Sequence, residues 1–359
     1  MKIQTIIDTL YFIIRRKPIN FTLADLSNLR VLYIGGYWRS NNDIVAQMLS
    51  GLRETGAQVL EYSTDQHPES LDTDGRPYDR GTFGPVWLKW VELRKPVLQF
   101  SPHLIVCNAG GLSFRPEEAK ILQGWGIKLL GIALSDPDVY NQATSIIAPN
   151  FYLFYTNAIQ CVPKYLENGV KARLLPLSTH DKYYQPKPAH PKYICDVLFM
   201  GAAHQDRIEP IKAVVENFNT HVYGENWDNY GIKSRGLIYG DATLTALNSA
   251  RITLIFSRTP AGHQILKIGL FDFIAAGALV ATEDFPWLRE YFDVGKEIIG
   301  FGDTADMLDK ISYYLSHPED AERIRKAGRA RVLREYTWKQ TWPKLIAPLF
   351  EQSIYPPEM

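Results

Sequence analysis

Near the amino end, the apolar residues Ile3, Ile6, Ile7, Leu10 and Ile14 recur at helical spacing, with Lys2, Gln4, Asp8 and Arg15 between them. This pattern predicts an amphipathic helix over residues 2–17, ended by Pro18. Two readings fit such a helix. It is either a membrane-surface or partner-docking element with a basic end at Arg15, Arg16 and Lys17, or a helix packed on the first domain.

From Leu29 the period changes. Arg30-Val-Leu-Tyr-Ile34 is a β-branched and aromatic run followed by Gly35-Gly36, and Asn41 or Asn42 is placed to cap a helix that ends near Gly56. Gln58-Val-Leu-Glu-Tyr62 follows, completing a strand–turn–helix–strand start without the G-x-G-x-x-G fingerprint. Residues 65–84 lack any period and predict a long loop. A helix is then expected around 86–99. Further strands are expected at 104–107, 128–134, 151–155 and 172–177, with helices between them. Gln185-Pro-Lys-Pro-Ala-His-Pro191 stiffens the chain and excludes helix, which predicts a linker. The alternation then restarts, with strands at 195–200, 220–223, 252–256, 279–281 and 298–299. Helices are expected at 206–218, up to 250, at 264–276 and over most of 303–352. Strand–helix alternation of this kind implies parallel sheets covered on both faces.

The composition adds limits. In 359 residues, Lys and Arg total 39 and balance 39 Asp and Glu, which argues against a nucleic-acid partner. Cys107, Cys161 and Cys195 have neither disulfide-framework nor zinc-ligand spacing, and reduced thiols are expected. No stretch is long and apolar enough for a membrane span and no signal-peptide pattern is present, so a cytoplasmic location, with a membrane association through residues 2–17 as one option, is the expectation.

In open parallel sheets, ligands bind beyond the carboxyl ends of the strands. That rule selects Gly201 to His204, Tyr223 to Trp227, Ile238 to Gly240 (with Tyr239), Arg258 to His263, and Glu283-Asp284 in the second half. Asp272 lies among Leu270, Phe271, Phe273 and Ile274, where a carboxylate needs a partner: either ligand hydroxyls such as those of ribose, or a structural group. A helix beginning at Gly262-His263-Gln264 would offer free N–H groups to a phosphate, with Lys267 four residues beyond His263 adding charge. Arg207 follows the small-residue turn Gly201-Ala-Ala and is placed either to clamp a diphosphate or to lie solvated in a first helical turn; Arg258 is read the same way. In the first half, Gly36, Asp136 and Asn157 follow strands. Asp136 is a base or acceptor-hydroxyl contact, or else a turn residue before Pro137. His103 precedes its strand and is discounted.

Residues 193–342 resemble the carboxyl-terminal half of GT-B glycosyltransferases, in particular the spore-maturation (CgeB-like) branch. The resemblance rests on Asp196-Val-Leu-Phe-Met-Gly-Ala-Ala-His-Gln-Asp-Arg207, Val222-Tyr-Gly-Glu-Asn-Trp227, Ala250-Arg-Ile-Thr-Leu-Ile-Phe256, Leu270-Phe-Asp-Phe-Ile-Ala-Ala-Gly277, and the stretch from Trp287 to Trp338. It implies an α/β chain of GT-B type, two Rossmann-like parallel-sheet domains facing a central cleft. Residues 1–26 would be an amino-terminal helix, 27–184 the acceptor-side domain, 185–192 the linker, 193–336 the donor domain, and 337–359 a helix returning to the first domain.

It also implies a nucleotide-sugar donor, no metal or cofactor, an acceptor that is a glycan, lipid-linked glycan, protein or small molecule, and retention of configuration. The implied donor contacts are Gly201, His204, Arg207, Ile238, Tyr239, Arg258, His263, Gln264, Lys267 and Asp272, with Asp136 catalytic and Gly36 and Asn157 on the acceptor side. Two departures stand out. The family's E-x7-E pattern has Gln264 and Asp272 here, and Gly269 replaces the arginine usual just before Phe-Glu, leaving Lys267 nearby. A nucleotide-sugar epimerase on the same fold and an inactive sugar-nucleotide-binding scaffold are the alternatives.

Overall fold

The computed structural model describes residues 2–15, 21–36, 43–72, 84–108 and 111–354. The chain divides into two compact units, one of residues 1–176 with 338–359 and one of 177–337. The proline-rich segment 185–191 therefore lies inside the second unit, and the chain passes between units at Pro176/Leu177 and Thr337/Trp338.

In the first unit, α1 (Lys2–Arg15) precedes β1 (Arg30–Gly35), α2 (Ile44–Glu54) and β2 (Gln58–Ser63). The cap of α2 is Asp43, whose carboxylate accepts the Val45 N–H at 2.9 Å; Asn41 and Asn42, expected in that role, lie outside the described residues. Much of the expected 65–84 loop, residues 73–83, also lies outside them. Short strands β3 (Leu71–Asp72) and β4 (Val86–Leu88) flank that gap. The helix expected from 86 begins only at Trp90, because Val86–Leu88 pairs with β3 and with Leu112–Ser113.

There follow α3 (Trp90–Phe100), β5 (Leu104–Asn108), β6 (Leu112–Ser113), α4 (Pro116–Gly124), β7 (Lys128–Ala133), the single turn α5 (Ser145–Ile147), β8 (Leu153–Thr156), α6 (Val162–Glu167) and β9 (Ala172–Leu174). The main sheet runs β2-β1-β5-β7-β8-β9, all parallel. Every residue of β1 and β5 is buried, as central strands covered on both faces must be.

The second unit holds β10 (Cys195–Met200), α7 (Gln205–Asn217), β11 (Thr220–Tyr223), α8 (Asp241–Ser249), β12 (Ala250–Leu254), α9 (Ile268–Ala275), β13 (Val280–Glu283), α10 (Leu288–Tyr291), β14 (Ile299–Phe301), α11 (Thr304–Ser316) and α12 (Pro318–Glu335). Its parallel sheet runs β11-β10-β12-β13-β14. Val197, Phe199, Ile252, Leu254 and Trp227 form its core with Ile211 and Val214 of α7.

The last helix, α13 (Trp338–Ile354), belongs to the first unit. Trp338 and Trp342 are fully buried there, and the Trp342 indole N–H donates to the Met48 carbonyl at 2.6 Å.

In both sheets the strand order reverses beside the first strand: β1 lies between β2 and β5, and β10 between β11 and β12. Such a switch point opens a crevice at the carboxyl ends of the two diverging strands. In the first unit those ends are Gly35-Gly36 and Asn108; in the second they are Gly201 and the residues after Leu254.

Candidate functional site

The second unit's switch point gathers most of the expected donor contacts. β10 ends at Met200, and Gly201 turns the chain toward α7. A Cβ at 201 would come within 3.0 Å of Arg207 Nη1 and 3.2 Å of Phe199 Cζ, so glycine is what lets the guanidinium fold back over this turn. The Arg207 side chain is 8% exposed. Its carbon Cζ stands 5.7 Å from the centre of the Phe199 ring, and Nη1 makes one long bond of 3.5 Å to the Ala202 carbonyl. Its Nε–H has no hydrogen-bond partner among the described residues. The nearest carboxylate contact, Asp206, is at 3.9 Å. Burial pulls the guanidinium below its ordinary pKa, with Asp206 and Glu283 pulling the other way. A buried charge with hydrogen-bonding capacity left over is costly, and a bound anion removes the cost.

The helices around it point the same way. His204 is the N-cap of α7 and Lys267 the N-cap of α9, and neither side chain caps its helix. Both helix starts thus keep first-turn N–H groups available to an anion. The His204 imidazole is held below its ordinary pKa, first by burial, then by the charge of Arg207, with Lys267 adding to it. Glu283, at the end of β13, braces the facing loop by accepting the Ser257 N–H at 2.7 Å, and its other oxygen is 3.9 Å from Arg258 Nε. Glu283 was visible in sequence only as a strand-end position, and its brace becomes evident once β12 and β13 are adjacent.

The loop before α9 departs from expectation. The helix expected from Gln264 starts at Ile268. Residues 257–265 double back instead: Arg258 bridges Gln264 antiparallel, Thr259 N–H donates to the His263 carbonyl at 2.8 Å, and Ile265 N–H to the Ser257 carbonyl at 2.9 Å. His263 and Gln264 therefore occupy a hairpin, and the His263 N–H is directed at Thr259 Oγ1, 3.2 Å away, rather than at a ligand from a helix start. The anion-ready start belongs to Lys267. Asp272 sits inside α9, 5% exposed, and accepts the Thr179 hydroxyl at 2.7 Å. Thr179 is in turn bonded through its N–H to the Tyr336 carbonyl at 2.9 Å. Ile238 is half-buried and Tyr239 is 53% exposed, in the irregular segment before α8.

In the first unit Asp136 is 1% exposed and held by framework groups: Oδ1 accepts Thr144 Oγ1 at 2.6 Å, while Oδ2 accepts Thr156 Oγ1 at 2.6 Å and the Tyr165 hydroxyl at 2.8 Å. Asn157 Oδ1 accepts the Asp136 N–H at 3.1 Å. Burial first, and the Asp136 charge second, push the Tyr165 hydroxyl far up, keeping it a donor. Such a carboxylate ties the end of β7 to β8 and α6, and Asn157 joins the same framework. Gly36 is buried, and a Cβ there would approach Thr64 Oγ1 to 3.2 Å. The residue overlooked in this unit is Asn108, fully buried at the end of β5. Its amide donates to the Tyr33 hydroxyl at 2.6 Å while its Oδ1 has no partner among the described residues. No group of three or more His, Cys, Asp or Glu suited to a metal occurs among the described residues, and the three cysteines are buried thiols.

Residues 205–347 match a family model described as glycosyl transferase-like. The fold is that of GT-B glycosyltransferases. Similar solved structures are sucrose-phosphate synthase (tll1590) from Thermosynechococcus elongatus, with a TM-score of 0.58 at 14% identity over 91% of this chain and 99% of that one; a glycosyltransferase from Rickettsia africae, with 0.57 at 11% identity over 90% and 98%; and Anabaena Alr3699/HepE in complex with UDP-glucose, with 0.55 at 10% identity over 90% and 100%. No curated protein sequence matches the chain.

Proposed function

We propose that the protein is a glycosyltransferase of the spore-maturation-type branch that takes its sugar from a nucleoside-diphosphate donor held by the second unit. One observation carries this reading: the buried, under-bonded guanidinium of Arg207 at the switch point, beside the uncapped starts of α7 and α9. Transfer breaks the bond between the sugar's anomeric carbon and the diphosphate, so negative charge grows on the departing phosphate oxygen. Arg207, Lys267 and the first-turn N–H groups, fixed in advance, stabilise that charge, and Arg258 lies at the rim. This reading asks for no divalent cation. Asp272, which accepts the Thr179 hydroxyl, is the ribose contact that the resemblance suggests. The HepE relative is described with UDP-glucose, which makes uridine donors the first to test. The acceptor and retention of configuration stay expectations of the resemblance, and a cytoplasmic location stays an expectation of the sequence pattern.

The test is calorimetric titration of UDP, UDP-glucose and uridine into the wild-type chain and Arg207→Gln. Arg207→Gln should weaken UDP by roughly ten- to a hundredfold and leave uridine unchanged. Equal UDP affinity in both proteins would remove the diphosphate from this site. Release of free UDP with sugar moved to an acceptor separates transfer from epimerisation and from binding without turnover.

A further inference from the structure

The helix α1 is amphipathic in an uncommon way: its more polar face is the one packed on the first unit, and its aliphatic face is exposed. The inner face is fastened to the first unit. Phe12 is buried and stacks on Trp125 with ring centres 5.0 Å apart, and the Trp125 indole N–H donates to Thr9 Oγ1 at 2.9 Å. Asp8, 2% exposed, accepts Arg94 Nε of α3 at 2.6 Å and the Gln4 amide at 2.9 Å. That fastening fixes which way the other face looks. Ile6, Ile7, Leu10, Ile13 and Ile14 are 59%, 52%, 56%, 57% and 81% exposed. At 100° per residue they fall within an arc of about 120°. Val91 of α3, 72% exposed, lies three positions before the Arg94 that anchors α1.

A contiguous apolar patch on the order of several hundred Å² marks an interaction surface. Its chemistry selects the partner. Protein interfaces concentrate their energy in Trp, Tyr and Arg, with Leu and Val under-represented. This patch is aliphatic throughout. In the sequence it is flanked by Lys2 on one side and by Arg15, Arg16 and Lys17 on the other, while the helix's one acid, Asp8, is neutralised by Arg94. An aliphatic stripe with basic ends complements the acyl boundary and headgroups of an anionic membrane. No described helix is long and apolar enough to cross a membrane, so the contact lies in the plane of the surface. We propose that α1, with Val91, docks the first unit on an anionic lipid bilayer.

Flotation of the full chain with phosphatidylcholine vesicles, with and without about 30% phosphatidylglycerol, tests this. Wild type should float with the anionic vesicles at least about tenfold better than with the neutral ones, and less well as salt is raised. The double variant Leu10→Glu/Ile14→Glu should lose that binding. So should Ile6→Gln/Ile13→Gln, which adds no charge. Both variants should keep the wild-type melting temperature, because the altered side chains are exposed. Wild type remaining with the soluble fraction in both lipid mixtures would overturn the proposal, as would variants that float like wild type. A concentration-dependent dimer of wild type, broken by the variants and indifferent to lipid, would also overturn it and give the face to a second copy of the chain.

Discussion

Asp136 and Arg207 are both buried charges that follow a strand of a parallel sheet, and the molecule treats them in opposite ways. The Asp136 carboxylate receives three hydroxyls. The Arg207 guanidinium has one long bond to a carbonyl, an aromatic ring below it, and an Nε–H with no partner among the described residues. Sequence reading treats both as possible site residues, since each follows a strand. The difference between them is that one charge has its hydrogen bonds supplied by the fold and the other is left with capacity unmet. A satisfied charge stabilises the fold it is built into. An unsatisfied one costs stability until a ligand arrives.

The largest effect tests the satisfied side. Asp136→Ala leaves the Thr144, Thr156 and Tyr165 hydroxyls without their acceptor and should cost about 3–5 kcal/mol of stability by chemical denaturation. The variant molecules that remain folded should keep wild-type donor affinity. A stable Asp136→Ala that binds donor and has lost only turnover would break the comparison and make Asp136 catalytic.

The unsatisfied side predicts the opposite sign. Without ligand, Arg207→Met should gain about 1–3 kcal/mol, because it exchanges a poorly compensated buried charge for an apolar side chain over Phe199. That corresponds to a rise of about 2–4 °C in melting temperature per kcal/mol. UDP should raise the melting temperature of wild type and leave that of the variant alone. A melting temperature that falls in Arg207→Met would mean that the guanidinium is already compensated.

The smallest effect is a proton. His204 in the folded chain lies below its ordinary value of 6.5, so the unfolded chain takes up this proton first. The stability contributed by the neutral ring is full above that value and declines as pH falls below it. A diphosphate bound at α7 reverses the preference by favouring the imidazolium. UDP should therefore bind a few-fold more tightly on going from about pH 8 to pH 6, with proton uptake visible as a buffer-dependent heat. No such dependence, or its persistence in His204→Gln, would detach His204 from the anion.

The strands and their order of alternation were legible because β-branched runs such as Val197–Phe199 and Ile252–Leu254 end at turn residues. The start of α9 was not. Ile265 and Leu266 fit a helical stripe, yet they are buried at 8% and 6% by the backbone's return past Ser257, and periodicity cannot tell a buried helix from a buried return. The role of Asp136 was hidden for another reason: its partners are 8, 20 and 29 residues away, and only the pairing of β7 with β8 brings them together. Arg207 was legible as a position and illegible as an unmet charge, since what identifies it is a missing partner.

The division of the chain carries a consequence for its synthesis. Residues 177–337, which make up the whole second unit, are contiguous, and their two ends are stitched by the bond from the Thr179 N–H to the Tyr336 carbonyl. The first unit, although it leaves the ribosome first, lacks its closing piece until Trp338–Ile354 has been translated. Trp338 packs against Gly51, where a Cβ would stand 2.3 Å from the Trp338 Cβ, and Trp342 bonds to Met48. Vectorial folding usually completes the amino-terminal domain first. In this chain the inserted unit has its full sequence before the earlier one does, whose groove beside α2 is filled only by the two tryptophans translated last.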